Sequence, residues 1–116
     1  MIAACLLIAY DPGGLILPRL DAVRDNPCVV ISGFCASACT LHLAAPQVCI
    51  GRGATLGFHG PSGAGRWRDY YVTVIADHYP PKLAEWYLSG PADLQSYELA
   101  ILNADQAAAL GVQVCG

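Results

Sequence analysis

The sequence predicts an α/β domain, a mostly parallel sheet built from βαβ units. Two stretches carry that prediction. The apolar run from Ile2 to Tyr10 ends at the turn Asp11-Pro12-Gly13-Gly14, and a second β-branched run, Cys28-Val29-Val30-Ile31, follows a helical stripe. Uninterrupted apolar runs of this length are the pattern of strands covered on both faces. Strand, helix and strand within about thirty residues form a right-handed crossover unit.

The elements follow in order. Ile2 to Tyr10 reads as a doubly buried strand. Leu15 to Arg24 reads as a helix with Leu17, Leu20, Ala22 and Val23 on its apolar stripe and Pro18 tolerated in its first turn. Asp25-Asn26-Pro27 stops it, and Cys28 to Ser32 is the second strand. A glycine turn at Gly33 then leads to a helix beginning at Ser37 and ending before Pro46. Gln47 to Gly51 and Ala54 to Phe58 read as short strands, the latter delivering His59 into the loop Gly60-Pro61-Ser62-Gly63-Ala64-Gly65. That loop lacks the spacing of a phosphate-binding glycine motif. Trp67, Tyr70, Tyr71, Val74, Ile75 and His78 recur at helical intervals, and a second helix runs from Pro81 to Leu88. Asp93 to Leu99 is irregular or a short strand. Asn103 caps a helix over Ala104 to Leu110, Gly111 closes it, and Val112 to Cys115 is a last strand.

The whole chain, residues 1–116, reads as one domain. It is 55% hydrophobic and 13% charged, with a mean hydropathy of +0.44. So apolar a small domain is expected to cover a further face in a homo-oligomer. A formal charge of −3 with only six Lys and Arg speaks against nucleic acid as a partner. The apolar N-terminal run is too short for a transmembrane segment and lacks the basic start of a signal peptide, which favours the cytoplasm. Six cysteines point the other way, to a periplasmic or secreted protein. Their positions inside apolar runs favour buried thiols, with one or two disulfides as the alternative. Cys35 and Cys39 can pair only if Cys35 lies outside the helix. Neither their spacing nor the scattered histidines suits zinc, and no metal or organic cofactor is expected.

The chemistry converges on one sheet edge. Strand C-termini in an α/β sheet share an edge, and Asp11–Gly14, Ser37 and His59 each follow a strand. Ser37 sits where a helix begins, beside unpaired amides, with small neighbours Ala36 and Ala38. Taken alone, such a serine is an N-cap and His59 an ordinary loop histidine. Together they supply a nucleophile, a base within the same edge, and glycine amides for an oxyanion. His42 reads as packing inside the Ser37 helix, and His78 as part of the aromatic helix. Lys82, the single lysine, stands apart from these motifs.

Three segments carry a resemblance to a known family: Asp11-Pro12-Gly13-Gly14, Cys35-Ala36-Ser37-Ala38-Cys39, and Leu56-Gly57-Phe58-His59-Gly60-Pro61. In that order and spacing the chain resembles the ClpP/crotonase superfamily, and more closely the serine peptidases related to the Clp protease proteolytic subunit. The closing stretch from Leu102 to Val112 is similar to the end of that fold. The resemblance implies a serine peptidase acting on a peptide or protein. Ser37 would be the nucleophile, His59 the base, and the amides of Gly13, Gly14 and Ala38 the oxyanion hole. Asp93, by its place before the closing segment, would be the acid that orients His59. It implies a fold truncated at its N-terminus and an oligomer. Two other classes stay open: a catalytically silent binding or assembly module, and a crotonase-like acyl-CoA enzyme. Asp11 departs from the family pattern, which has a small polar residue there.

Overall fold

A computed structural model describes residues 4–116. Its sheet has five strands: β1 (Leu6–Asp11), β2 (Cys28–Ala36), β3 (Gln47–Ile50), β4 (Thr55–Phe58) and β5 (Ala100–Asn103). β2 is the centre. It pairs in parallel with β1 on one side; on the other its first half pairs with β3 and its second half with β4, both parallel. β5 closes the sheet antiparallel to β4. The α/β class and the mostly parallel sheet expected from the sequence are therefore present, with the β1–helix–β2 crossover unit at their centre.

Four α-helices flank the sheet: α1 (Ile16–Asp25), α2 (Gly65–Ala76), α3 (Pro81–Leu88) and α4 (Ala104–Ala109). Each falls where periodicity and punctuation place it. Pro81 opens α3. Asn103 and Gln106 form a reciprocal capping box at α4, the Asn103 side chain accepting from the Gln106 amide at 2.8 Å. Asp105 sits in that first turn, where an acid suits the helix dipole. The core is a layer of Ile8, Val29, Ile31, Leu41, Ile50 and Leu56 from the sheet and the segment after Ser37. It continues into an aromatic cluster in which Phe58 meets Tyr79 and Trp86 edge-on, with ring centroids 5.5 and 5.1 Å apart.

Four expectations need correction. β1 is an edge strand, not a doubly buried one: Leu7 is 73% and Tyr10 72% exposed, and only Ile8 is buried. Ile2 and Ala3 lie outside the described residues. Gly33 does not turn the chain. β2 runs straight through it for nine residues, and Ser32 and Gly33 together face the single residue Ala9 across a bulge. A Cβ at Gly33 would lie 2.0 Å from the Ala9 carbonyl oxygen, so glycine is there for close approach rather than for a turn. The segment Ser37–Ala44 is a 3-10 helix rather than an α-helix. Within it Thr40 Oγ1 donates to the carbonyl of Ser37 at 2.7 Å, a three-residue closure that matches the tighter winding. The last expected strand is reduced to a single bridge between Val114 and Ile50.

The cysteines are not thiols. All six are paired, as Cys5–Cys28, Cys35–Cys39 and Cys49–Cys115. Cys35 is on β2 and Cys39 in the 3-10 helix, which meets the condition under which those two can bond. Apolar surroundings do not distinguish a buried thiol from a buried bridge, and that is why composition pointed the wrong way. Three bridges are the bonding of an oxidising compartment and weigh against the cytoplasm. No helix among the described residues is long and apolar enough to cross a membrane.

Candidate active site

Ser37 stands at the C-terminal tip of the central strand. Its φ is +57°, and it is the one described residue other than glycine with positive φ. A side chain in this left-handed region costs on the order of 1–3 kcal/mol and persists only where the surroundings enforce it. Here they do. The Asp11–Gly14 turn presses on it from β1: a Cβ at Gly13 would lie 2.6 Å from Ser37 Cβ and 2.8 Å from the Ala36 carbonyl oxygen. Gly13 has φ +108°, so only glycine allows both the bend and the contact. Thr40 holds the Ser37 carbonyl, and its hydroxyl lies 2.6 Å from the buried Tyr79 hydroxyl. Burial drives the Tyr79 pKa far above its ordinary value despite that hydrogen bond. The strand-to-helix turn thus carries a half-buried serine between the buried small residues Ala36 and Ala38.

The Asp11–Gly14 turn is itself anchored. Asp11 Oδ1 accepts from the Gly13 amide at 2.9 Å, and Asp11 Oδ2 accepts from Arg19 Nη1 at 2.5 Å. Arg19 also donates to the Gly13 carbonyl at 3.4 Å and lies 3.4 Å from Nε2 of His42. Partial burial raises the Asp11 pKa, but the hydrogen bonds from Arg19 and Gly13 and the charge of Arg19 outweigh it and hold the carboxyl below its usual range. His42 is 1% exposed, and its Nδ1 has no hydrogen-bond partner among the described residues. Burial first, and the Arg19 charge second, lower its pKa and keep the imidazole neutral. This Asp11–Arg19–His42 network lies beneath the site, and the sequence reading did not find it.

These bonds sort the three expected oxyanion donors. The Gly13 amide is spent on Asp11 and does not line the cavity, so Gly13 acts as a packing and turn residue. Gly14 and Ala38 do line it, beside Ser37, and among the described residues neither amide has a partner in a turn or side-chain bond. Ala38 lies in the first turn of its helix, where amides lack intrahelical acceptors.

His59 follows β4 and opens onto the same cavity as Ser37. Its backbone is firmly held. Tyr87 Oη donates to the His59 carbonyl at 2.9 Å, and the Gly60 amide donates to Leu94 O at 3.0 Å. Burial pushes the Tyr87 pKa up to about 12, so that hydroxyl stays a donor. His59 Nδ1 lies 2.6 Å from the Gly60 carbonyl oxygen. A carbonyl can only accept, so Nδ1 carries a proton, and in the neutral ring Nε2 is then the nitrogen with the lone pair. Among the described residues no hydrogen bond joins His59 to Ser37. Asp93 makes no hydrogen bond or ion pair with the ring among the described residues. Its carboxylate is 87% exposed, lies 4.0 Å from Arg68 Nη1 and makes no hydrogen bond with His59. Arg68 ties this segment down instead, donating to Ala92 O at 2.6 Å.

The cavity between Ser37 and His59 has a volume of about 520 Å³. Leu15, Leu17, Leu41, Phe58, Ile75 and Tyr79 supply most of its walls, and no lysine or arginine lines it. His78, by contrast, bonds the Val74 carbonyl of its own helix, and Lys82 is exposed. Among the described residues no group of three His, Cys, Asp or Glu side chains is placed to hold a metal ion. No family model matches the sequence, and neither does any curated protein sequence.

Proposed function

We propose that the protein is a serine hydrolase, a peptidase of the ClpP-like kind, that cuts next to an apolar side chain. The observation that carries the reading is Ser37: a strained left-handed serine at the end of the central strand, opening with His59 onto one apolar cavity. In this reading Ser37 Oγ attacks the carbonyl while His59 Nε2 takes its proton and then gives it to the leaving amine. The amides of Gly14 and Ala38 hold the oxyanion. Water then releases the acyl group by the same base. The Gly60 carbonyl takes the orienting part expected of Asp93, since it fixes the tautomer that leaves Nε2 able to accept.

The missing Ser37–His59 hydrogen bond supports one competing reading, a silent binding module. An acyl-CoA enzyme is disfavoured because no cation lines the cavity to meet the nucleotide phosphates. Exposed Leu7, Tyr10, Leu15 and Leu17 support self-association, which sedimentation would test. The three bridges favour a periplasmic or secreted setting.

The deciding experiment is intact-mass analysis after treatment with a fluorophosphonate probe, beside Ser37→Ala. One adduct that maps to Ser37 and is absent from the variant is the expected result. No adduct on the wild-type chain, at any concentration that favours self-association, would overturn the hydrolase reading and leave the binding module.

A further inference from the structure

We propose that the Cys35–Cys39 disulfide is a positioning device for the nucleophile, closing the loop that carries Ser37 and holding that residue in its left-handed backbone. The inference rests on the hydrolase reading of Ser37.

The placement argues for it. The two cysteines are four residues apart, and Ser37 is the middle residue of Cys35-Ala36-Ser37-Ala38-Cys39. Both are fully buried. Cys35 is paired on both sides, facing Asp11 on β1 and Leu56 on β4. Cys39 is in the first turn of the 3-10 helix. The bridge therefore ties the start of that helix to a strand position paired on both sides, across the residue with φ +57°. Without it, the preferred change at Ser37 is rotation to negative φ, which relieves the backbone and shifts Oγ from its place in the cavity that Gly14 and Ala38 also line.

The other bridges serve a different purpose. Cys5–Cys28 joins the beginnings of β1 and β2, and Cys49–Cys115 joins β3 to the tail across 66 residues. Loop-closure entropy grows with the length of chain enclosed, so those two restrict the unfolded chain most and Cys35–Cys39 least. A bridge that contributes least as a general staple, set around the one non-glycine residue of positive φ among the described residues, is best explained by what it does to that residue.

The test measures the saturating rate and the half-saturating concentration of fluorophosphonate labelling at Ser37. It compares the wild-type chain, C35V/C39V, and C5V/C28V as a control, with folding followed by circular dichroism. The expected result is a folded C35V/C39V whose saturating rate falls at least about tenfold with half-saturation unchanged, as a misplaced nucleophile requires, while the control keeps its rate. A rate within about twofold of wild type, or equal losses in C35V/C39V and the control, would overturn the proposal. If C35V/C39V does not fold, C35A/C39A is used in its place. Failure of both to fold assigns the bridge to global stability and also overturns it. An unlabelled wild-type chain is seen before any variant is made; that result removes the hydrolase reading, and this inference with it.

Discussion

The two sides of the cavity are built differently. On the Ser37 side every constraint reaches the functional residue itself: a bridge around it, Gly13 against its Cβ, and Thr40 on its carbonyl. On the His59 side the constraints stop at the backbone. Tyr87 and Leu94 fix the peptide, yet the ring bonds only its neighbour's carbonyl, and no hydrogen bond reaches Ser37 among the described residues. A nucleophile must keep a costly backbone state at all times, whereas a base has only to reach its partner once substrate is bound. On the hydrolase reading proposed above, Ser37 is preorganised and His59 is adaptable.

The harshest way to break this contrast is Gly13→Ala. The new Cβ meets Ser37 Cβ at 2.6 Å at a φ of +108°. Backbone strain and overpacking together are expected to cost about 2–5 kcal/mol. Urea unfolding would measure that loss, and Ser37 labelling should disappear with it. Unchanged stability would mean that the turn does not press on the nucleophile. His59→Ala should act on chemistry alone. Labelling and peptide cleavage fall by about 10²–10⁴-fold with little change in melting temperature, as removal of a general base predicts. Thr40→Val, which strips the hydroxyl from both the Ser37 carbonyl and buried Tyr79, should cost about 1–3 kcal/mol in the same unfolding assay. A larger loss of labelling than of stability would show that the hydroxyl positions Ser37.

The same division explains what the sequence could show. Strand ends and punctuation placed Ser37 and His59 on one edge, because each directly follows a parallel strand, β2 or β4, whose end is buried. α2, α3 and the Asn103 cap were legible for the same reason, since each rests on local pattern. What could not be read depends on partners distant in the chain. Asp11 takes the Gly13 amide two residues on, a local bond, but its pairing with Arg19 and the approach of Arg19 to His42 join residues 8 and 23 positions apart. The exposed face of β1 depends on which strand has no outer neighbour, and the position of Asp93 depends on Arg68.

The partly buried Asp11–Arg19–His42 network gives the pH dependence. His42 has a lowered pKa, so the unfolded chain binds a proton more readily than the native one, and stability must fall as pH drops below the ordinary imidazole value of about 6.5. Asp11 is also lowered, so its contribution is present above the ordinary aspartate value of about 3.9 and is lost as pH falls through its native pKa. The melting temperature should therefore decline in two stages on acidification. His42→Gln should flatten the first and leave the second. An identical profile in the variant would place the first stage elsewhere.

The smallest expected effect is the most pointed. Asp93→Asn removes the acid that motif order nominates, yet its carboxylate is 87% exposed and its nearest cation, Arg68, is 4.0 Å away. Exposed pairs of this kind contribute little to stability. An acid that orients a catalytic histidine is worth orders of magnitude in rate. The two roles are thus far apart on one scale. With the Gly60 carbonyl setting the His59 tautomer, Asp93→Asn should leave the labelling rate within about twofold of wild type and its pH profile unshifted. A hundredfold loss would show instead that substrate or assembly swings the Asp93 carboxylate onto His59. The adaptable side of the cavity would then include the acid as well as the base.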